Sequence, residues 1–349
     1  MVRKLKAAAW DMLAGAYYYS GLPTVRHRGR VAILTYHRVV SDEMVREEYI
    51  QAGMYVKAQS FASHVNYLRK RFVILPLEKV LELWQTGRLD ARIAYCVITL
   101  DDGWRDNYDN AFPILKRHGV PATIFLATDY IGTTHWFWPD QAAFVLGQAG
   151  QRIGNAKMFT TISRLICEQA EIKESERENF RSMFQSGDDL DPDTFIEWCK
   201  GLEADAVLRV VERLGQELGV ELPRKRVLLN WDEVREMSAC GVTFGSHSCS
   251  HRIMTQLSPS EARKELTESW QAMLQQGIKP IPVFCYPNGN ANETVKALTR
   301  DNGYQAALGC GVGLEGKRPD DLFDLKRLGL HEDLTSSTPL LALALSGLR

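Results

Sequence analysis

The sequence predicts an α/β fold: parallel strands closing into a barrel under covering helices, with a helical segment inserted between two of the strands. Three observations predict it. Short β-rich apolar runs alternate with helical-period segments from Val31 onward, a pattern that implies parallel strands joined by crossover helices. Residues 135–229 break that rhythm with mainly helical patterning. The residues able to do chemistry fall where the predicted strands end. With 349 residues, 45% hydrophobic and 24% charged, the chain can fill one large core or a core with an insertion.

Val31–Tyr36 is the first buried strand, apolar and rich in β-formers. Phe61, Val65 and Leu68 recur at helical spacing, Phe72–Leu75 gives a second strand, and Leu77–Trp84 a second helix. Tyr95–Leu100 is the third strand and stops abruptly at Asp101-Asp102-Gly103. Asn110–His118 is helical and ends at Gly119, and Ala122–Leu126 follows as a strand. Beyond the insertion come a helix at Asp232–Ala239, a strand at Val242–Phe244 and a helix from Pro259 to Gln275. A strand at Ile281–Tyr286, a helix at Glu293–Asp301, strands at Tyr304–Ala307 and Asp324–Leu330, and a helix at Pro339–Leu345 complete the chain. The implied division is an N-terminal basic segment (1–30), a first barrel part (31–134), a helical insertion (135–229) and a second barrel part with the C-terminal helix (230–349). Within the insertion, Phe195–Lys200 and Val207–Leu218 are helical, and Trp136-Phe137-Trp138-Pro139 opens it either as a sugar-stacking platform or as a core anchor. Gly309–Gly313 lacks the Lys-Ser/Thr of a phosphate loop and predicts a flexible loop.

A formal net charge of −1 gives no global field for nucleic acid, which is excluded as a partner. The charge is uneven: residues 1–30 carry +5 and residues 168–193 carry −6. The seven cysteines are odd in number and lack C-x-x-C spacing, which argues against a disulfide framework or structural zinc and for a reducing compartment. Lys6 and Asp11 interrupt the first apolar run, so a signal-peptide core is not expected, and no stretch reaches the roughly 18 apolar residues of a membrane span. Leu5, Ala9, Met12, Leu13, Ala16 and Tyr17 instead share one helical face, beside Trp10, Tyr18, Tyr19 and the bases Arg3, Lys4, Lys6 and Arg26. Such a helix lies in the cytoplasmic membrane interface, as a peripheral anchor, or packs on the domain.

Thr99-Leu100-Asp101-Asp102-Gly103 sets two carboxylates at a strand end, where a turn at Gly103 brings both toward one pocket. Alone, such a turn is more often an ordinary surface feature. Ser246-His247-Ser248-Cys249-Ser250-His251 follows another strand, with its histidines at i and i+4 able to meet on one divalent metal. Each histidine alone is more often structural. Together, one aspartate and two histidines supply three ligands and leave a position for water, the arrangement of a catalytic zinc site. The second carboxylate is then free to act as base. His37, Tyr286-Pro287 and His331 also lie at C-terminal strand ends, the face that carries active sites in α/β barrels.

The ordered set Leu34–Val39, Thr99–Gly103, Asn107 with Pro113-Ile114-Leu115, Pro121–Phe125, Gly245–His251 and Phe284–Gly289 resembles the polysaccharide deacetylases with the NodB homology domain, carbohydrate esterase family 4. The likeness covers residues 31–134 and 230–332. It implies a distorted, partly closed (β/α) barrel of the NodB-homology type. It implies Asp101 as catalytic base and Asp102, His247 and His251 as ligands of a divalent metal, usually zinc. It also implies a backbone N–H at Tyr286 for the oxyanion and His331 as general acid. Two features depart from the family pattern. The arginine many members carry before the aromatic-Pro motif is replaced by Val283-Phe284-Cys285, so Arg105 or Arg327 is expected to orient the base. The segment Leu328–Asp333 around His331 matches only loosely. His37 lines the site or caps its strand, and Cys249 and Cys285 fill space near it.

The expected activity is metal-dependent hydrolysis of N-acetyl groups from amino sugars in a polysaccharide, oligosaccharide or glycan precursor, releasing acetate and a free amine. One alternative is a deformylase or deacetylase of a lipid-linked sugar at the inner membrane face. Another is a non-catalytic sugar-binding or scaffold protein, against which the presence of Asp101, Asp102, His247 and His251 argues.

Overall fold

A computed structural model describes residues 2–20, 27–184 and 191–347, with side chains from Ala9 onward except at positions 151, 153, 155, 156 and 204. Arg26, Asp188 and Asp189 lie outside the described residues, as do the side chains of Arg3, Lys4, Leu5 and Lys6. The chain forms two compact units, one of Met1–Asp42, Ala52–Thr133 and Arg226–Arg349, the other of Glu43–Gln51 and Thr134–Lys225.

The first unit contains β1 (Val31–Tyr36), β2 (Arg38–Val40), β3 (Tyr55–Lys57), β4 (Val73–Ile74), β5 (Tyr95–Leu100), β6 (Thr123–Leu126), β7 (Thr243–Ser246), β8 (Val283–Cys285), β9 (Ala306–Val312) and β10 (Leu325–Gly329). Strands β1, β10, β9, β8, β7, β6 and β5 form a ring, closed by six parallel residue pairs between β1 and β5, and β4 adds to β5 outside it. The seams are uneven: β7 and β8 share one residue pair, Ser246 with Phe284. β1 and β5 are buried along their whole length, as their unbroken apolar sequences require of strands covered on both faces. Alternate residues serve two cores. Ile33, Val97, Phe125, Val283, Leu308 and Leu325 belong to one cluster with the helix Leu77–Gln85. Leu34, Ile98, Ile124, Phe244 and Leu328 join another with Phe61, Val65 and Leu68 of the helix Ala58–Arg71.

Three local expectations change. The Gly309–Val312 run is part of strand β9 and not a loop. A Cβ on Gly309 would lie 1.8 Å from Asp324 Oδ1 and one on Gly311 3.3 Å from Lys326 Cγ, so these small residues leave room for the side chains of Asp324 and Lys326. β2 and β3 form a separate two-stranded parallel sheet that three-residue runs could not announce. The helix expected from Asn110 starts earlier, as a widened π turn over Asn107–Ala111. There the Asn107 and Asn110 side-chain amides donate to the carbonyls of His37 and Val39, each at 2.8 Å.

The second unit contains helices Trp138–Ile153, Asn155–Glu168, Glu174–Met183, Pro192–Cys199 and Ala204–Leu218 around its own core. Phe180 lies at its centre, 4.8 Å from Phe184 and 4.9 Å from Trp198 between ring centroids. Helix Pro192–Cys199 starts on Asp191, whose carboxylate accepts from the Thr194 N–H, with proline at the first turn. Trp136 and Phe137 are buried; the Trp136 indole N–H donates to the Lys225 carbonyl, and its ring packs edge-on against Phe144. These two aromatics therefore anchor a core and offer no stacking platform. The segment Glu43–Gln51, which the sequence placed in the barrel, belongs to this unit, where Tyr49 donates to Asp193.

His64 ties the helix Ala58–Arg71 to the C-terminal region. Its Nε2–H donates to the Thr335 carbonyl at 2.6 Å, which leaves Nδ1 to accept from the Tyr36 hydroxyl at 3.2 Å. Burial, opposed by the Thr335 bond, lowers its pKa from 6.5 to about 4. Its neutral form is thus favoured in the fold, while the unfolded chain takes up the proton near 6.5. Stability should be full above that value and fall as pH drops toward 4, by at most about 3 kcal/mol from this group. Urea unfolding followed from neutrality into that window should show a shallower pH dependence for His64→Gln than for the wild type. Equal slopes would remove His64 from the acid response.

Candidate active site and metal centre

The site begins where β5 ends. Asp101 and Asp102 are both buried, with 1% and 2% of their surfaces exposed. On a strand they would face opposite sides. Asp102 leaves the extended region at φ 75°, an uncommon conformation for a non-glycine residue, and both carboxylates come to the same end of the barrel.

Asp102 Oδ1 lies 3.4 Å from His247 Nε2 and 3.2 Å from His251 Nε2. Ligands about 2.0–2.1 Å from a tetrahedral zinc would lie roughly 3.3 Å apart, so the three donors fit a divalent ion of that kind. The tautomers agree. His247 Nδ1–H donates to the Cys285 carbonyl at 2.7 Å, leaving the Nε2 lone pair for a ligand. His251 reaches the cluster from a loop in which Ser248 and His251 are both left-handed, at φ 65° and 59°. Burial alone would raise the Asp102 carboxyl, but its bonds to His247 and His251 outweigh that and hold it well below the usual carboxylate range.

Asp101 has a different environment. Arg327 Nη1 donates to its Oδ2 at 2.6 Å, and the same guanidinium donates from Nε to the Gly309 carbonyl at 3.1 Å. The Cys285 thiol also faces Oδ2, at 3.5 Å. Oδ1 is buried with no hydrogen-bond partner. Burial pushes the carboxyl up, but Arg327, followed by His247 and His37, lowers it below its ordinary value, so Asp101 is ionised at neutral pH. Of the two arginines expected to orient Asp101, Arg327 is the one in contact with it; Arg105 is half-exposed and faces Asp109 and Glu233.

His37, after β1, lies within electrostatic reach of Asp101, Asp102, His247 and Arg327, and burial lowers its pKa despite the two acids. It therefore lines the site. His331 follows β10, which pairs with β1 through Thr35 and Gly329, so it stands at the same end of the barrel. Its Nδ1 is hydrogen-bonded to the Asp333 carboxylate, and no described hydrogen bond joins it to the aspartate pair. Tyr286 departs from the expected role: its backbone N–H donates to the Leu308 carbonyl at 3.2 Å, so the sheet already uses that donor. The Tyr286 side chain is buried and bonds to Thr299.

The profile of the polysaccharide deacetylase family matches residues 90–307, a span that contains the aspartate pair, both histidines and Cys285. The chain belongs to the polysaccharide deacetylase family. Two curated relatives agree. YxkH of Bacillus subtilis, named for the same family, is 29% identical over 201 residues, 55% of this chain and 64% of that protein. The poly-beta-1,6-N-acetyl-D-glucosamine N-deacetylase of Staphylococcus epidermidis is 31% identical over 111 residues, 30% of this chain and 38% of that protein. The matched chain thus spans less than two thirds of either relative. Solved structures share the fold. The deacetylase PplD of Streptococcus pyogenes, in complex with acetate, superposes with a TM-score of 0.55 at 17% identity, covering 90% of this chain and 98% of that one. IcaB of Ammonifex degensii gives 0.54 at 16%, covering 91% and 97%.

In this deacetylase-family site two supporting residues were not anticipated. The Trp104 indole N–H donates to Asp102 Oδ2 at 2.8 Å, leaving Oδ1 for the histidine side, and the Arg38 guanidinium lies 4.6 Å over the Trp104 ring while pairing with Asp106. Glu265 accepts from the N–H groups of Cys249 and Ser250 and from the Ser250 hydroxyl, fixing the loop that aims His251. Its signal was present: Glu265 is an acid on the stripe of Ala262, Leu266, Ser269 and Met273 that its helix buries. Trp104→Phe should keep the ring and lose only the N–H. Zinc affinity measured by calorimetry should then fall about 10- to 100-fold. Unchanged affinity would show that Trp104 only packs.

Proposed function

We propose that this protein hydrolyses the N-acetyl amide of N-acetylglucosamine residues in a polysaccharide, with Asp102, His247 and His251 holding a divalent metal, zinc by the character of the donors. The observation that carries the reading is the pairing of that donor set with Asp101 Oδ1, a buried carboxylate oxygen with no partner. Bound there, a zinc ion would polarise an amide carbonyl and lower the pKa of a nearby water. The name of the Staphylococcus epidermidis relative supports N-acetylglucosamine as the sugar.

In this reading the chain divides the proton work between two groups. Asp101, held ionised by Arg327, takes the proton from the attacking water through Oδ1, while Arg327 keeps Oδ2 fixed. His331 delivers a proton to the departing amine. Its Nδ1 faces Asp333, so the transferred proton leaves from Nε2. His37, its pKa lowered by burial, is neutral near pH 7 and serves better to line the pocket than to donate. The products are acetate and a free amino sugar. Arg327 acts through Asp101 and is a positioning residue.

Acetate release from β-1,6-linked N-acetylglucosamine oligomers should be abolished by chelation and restored by zinc. Activity that survives chelation, with metal shown absent, would end the metal assignment. Release only from lipid-linked N-acetyl or N-formyl sugars would replace the polysaccharide substrate. Asp101→Asn should bind zinc normally and lose on the order of 10²–10⁴-fold in turnover. Near-normal turnover would place the base elsewhere.

A further inference from the structure

The N-terminal helix Val2–Tyr19 presents two apolar faces, and only one of them is used. Ala14 and Tyr17 are buried, and Trp10 and Tyr18 pack partly against the same core cluster, which includes Leu340–Leu343 and Leu345 of the helix Thr338–Leu345. Tyr18 also packs on Tyr67, with ring centroids 6.1 Å apart. Ala9, Met12, Leu13, Ala16 and Tyr19 remain exposed, with Met12 at 73%, Leu13 at 49% and Tyr19 at 83%. At helical spacing these five span a sector of roughly 120° without a polar side chain except the Tyr19 hydroxyl. Four of them lie on the face that the sequence marked as apolar, from which, among the described side chains, Tyr17 turns inward. A helix on the surface of a soluble domain normally puts charge on its outer face. This one does not.

Basic residues accompany this helix in the sequence and at its C-terminal end. Arg3, Lys4 and Lys6 occupy the first two turns, and Asp11 is the single acid among the first thirty residues. The helix Ala58–Arg71 ends in Arg69, Lys70 and Arg71, and Arg71 lies 5.5 Å over the Tyr18 ring. An exposed apolar and aromatic face on a helix that carries and adjoins basic residues matches an anionic lipid surface, where the apolar face enters the headgroup boundary and the bases meet phosphates. A second copy of the chain fits less well, because two-fold pairing through this face would bring the same bases together. Among the described residues no helix is long and apolar enough to cross a membrane.

We propose that the open face of the N-terminal helix, with the adjoining Arg69-Lys70-Arg71 cluster, docks this protein on an anionic bilayer surface, the helix lying in the plane of the interface. The proposal is independent of the reaction assigned to the barrel. It places the enzyme's substrate, whatever its sugar, within reach of a membrane-bound catalyst.

Flotation of the full chain with vesicles tests it, comparing phosphatidylcholine alone with phosphatidylcholine containing phosphatidylglycerol. Binding should require the anionic lipid and should weaken on the order of tenfold or more between about 0.05 M and about 0.5 M salt. The double variant Met12→Asp with Leu13→Asp should lose flotation while keeping the wild-type unfolding midpoint, since both side chains are exposed. Arg69→Gln with Lys70→Gln should reduce binding without abolishing it. Failure of the wild type to float with anionic vesicles would overturn the proposal, as would equal binding to phosphatidylcholine alone. Undiminished flotation of the Met12/Leu13 variant would overturn it too. So would a lipid-free dimer that the same variant dissolves, because a second copy would then be the occupant.

Discussion

Two adjacent carboxylates buried at the end of one strand are the constraint around which the rest of the first unit is arranged. Neither can be left without compensation in a closed, largely apolar barrel. Asp101 is met by an arginine from β10, and Asp102 by two histidines and an indole N–H. Each partner is held in turn: Arg327 by the Gly309 carbonyl, His247 by the Cys285 carbonyl, and the His251 loop by Glu265. Strands β5, β7, β8, β9 and β10 all contribute, so the closed ring is what lets one pair of acids be neutralised asymmetrically. One carboxylate is committed to two histidines and an indole. The other keeps a free oxygen.

What the sequence made legible was local. Asp101-Asp102-Gly103 and Ser246–His251 each put their chemistry within a few residues of a strand end, where alternation and turn residues can be read directly. The alternating strands and helices likewise emerge with boundaries close to those expected. What depended on register between distant strands was not legible. Arg105 and Arg327 were equal candidates on paper, and only the pairing of β10 with β9 and β1 places one of them over Asp101. The Tyr286 N–H looked available because its acceptor, the Leu308 carbonyl, belongs to a strand 22 positions later. Gly309–Val312 read as loose because its function is close approach, which leaves no side-chain pattern to detect.

The second unit shows the same limit from another side. Its opening aromatics had the composition of a sugar platform, but Trp136 and Phe137 are buried, Trp136 edge-on against Phe144 with its indole N–H bonded to the Lys225 carbonyl. Aromatic content announces apolar area, and only burial decides whether that area meets solvent or other side chains. Met12 and Leu13 make the opposite case: modest in sequence, they stand out only once the neighbouring face of their helix is seen to be already occupied.

The ion pair between Asp101 and Arg327 also has a place in time. Its members are 226 residues apart, and β1 pairs with β10, which is made far later. At about 5–20 residues per second, the ribosome would take roughly 10–45 s to reach the arginine after making the aspartates. Throughout that interval Asp101 lacks Arg327, and the seam between β1 and β10 cannot form. The emerging chain must therefore carry Asp101 and the open strand edges without these partners, and the Asp101 side of the site is completed only when β10 has left the exit tunnel. A fold that joins Asp101 to a residue 226 positions later makes completion of the site depend on the strands that lie between them.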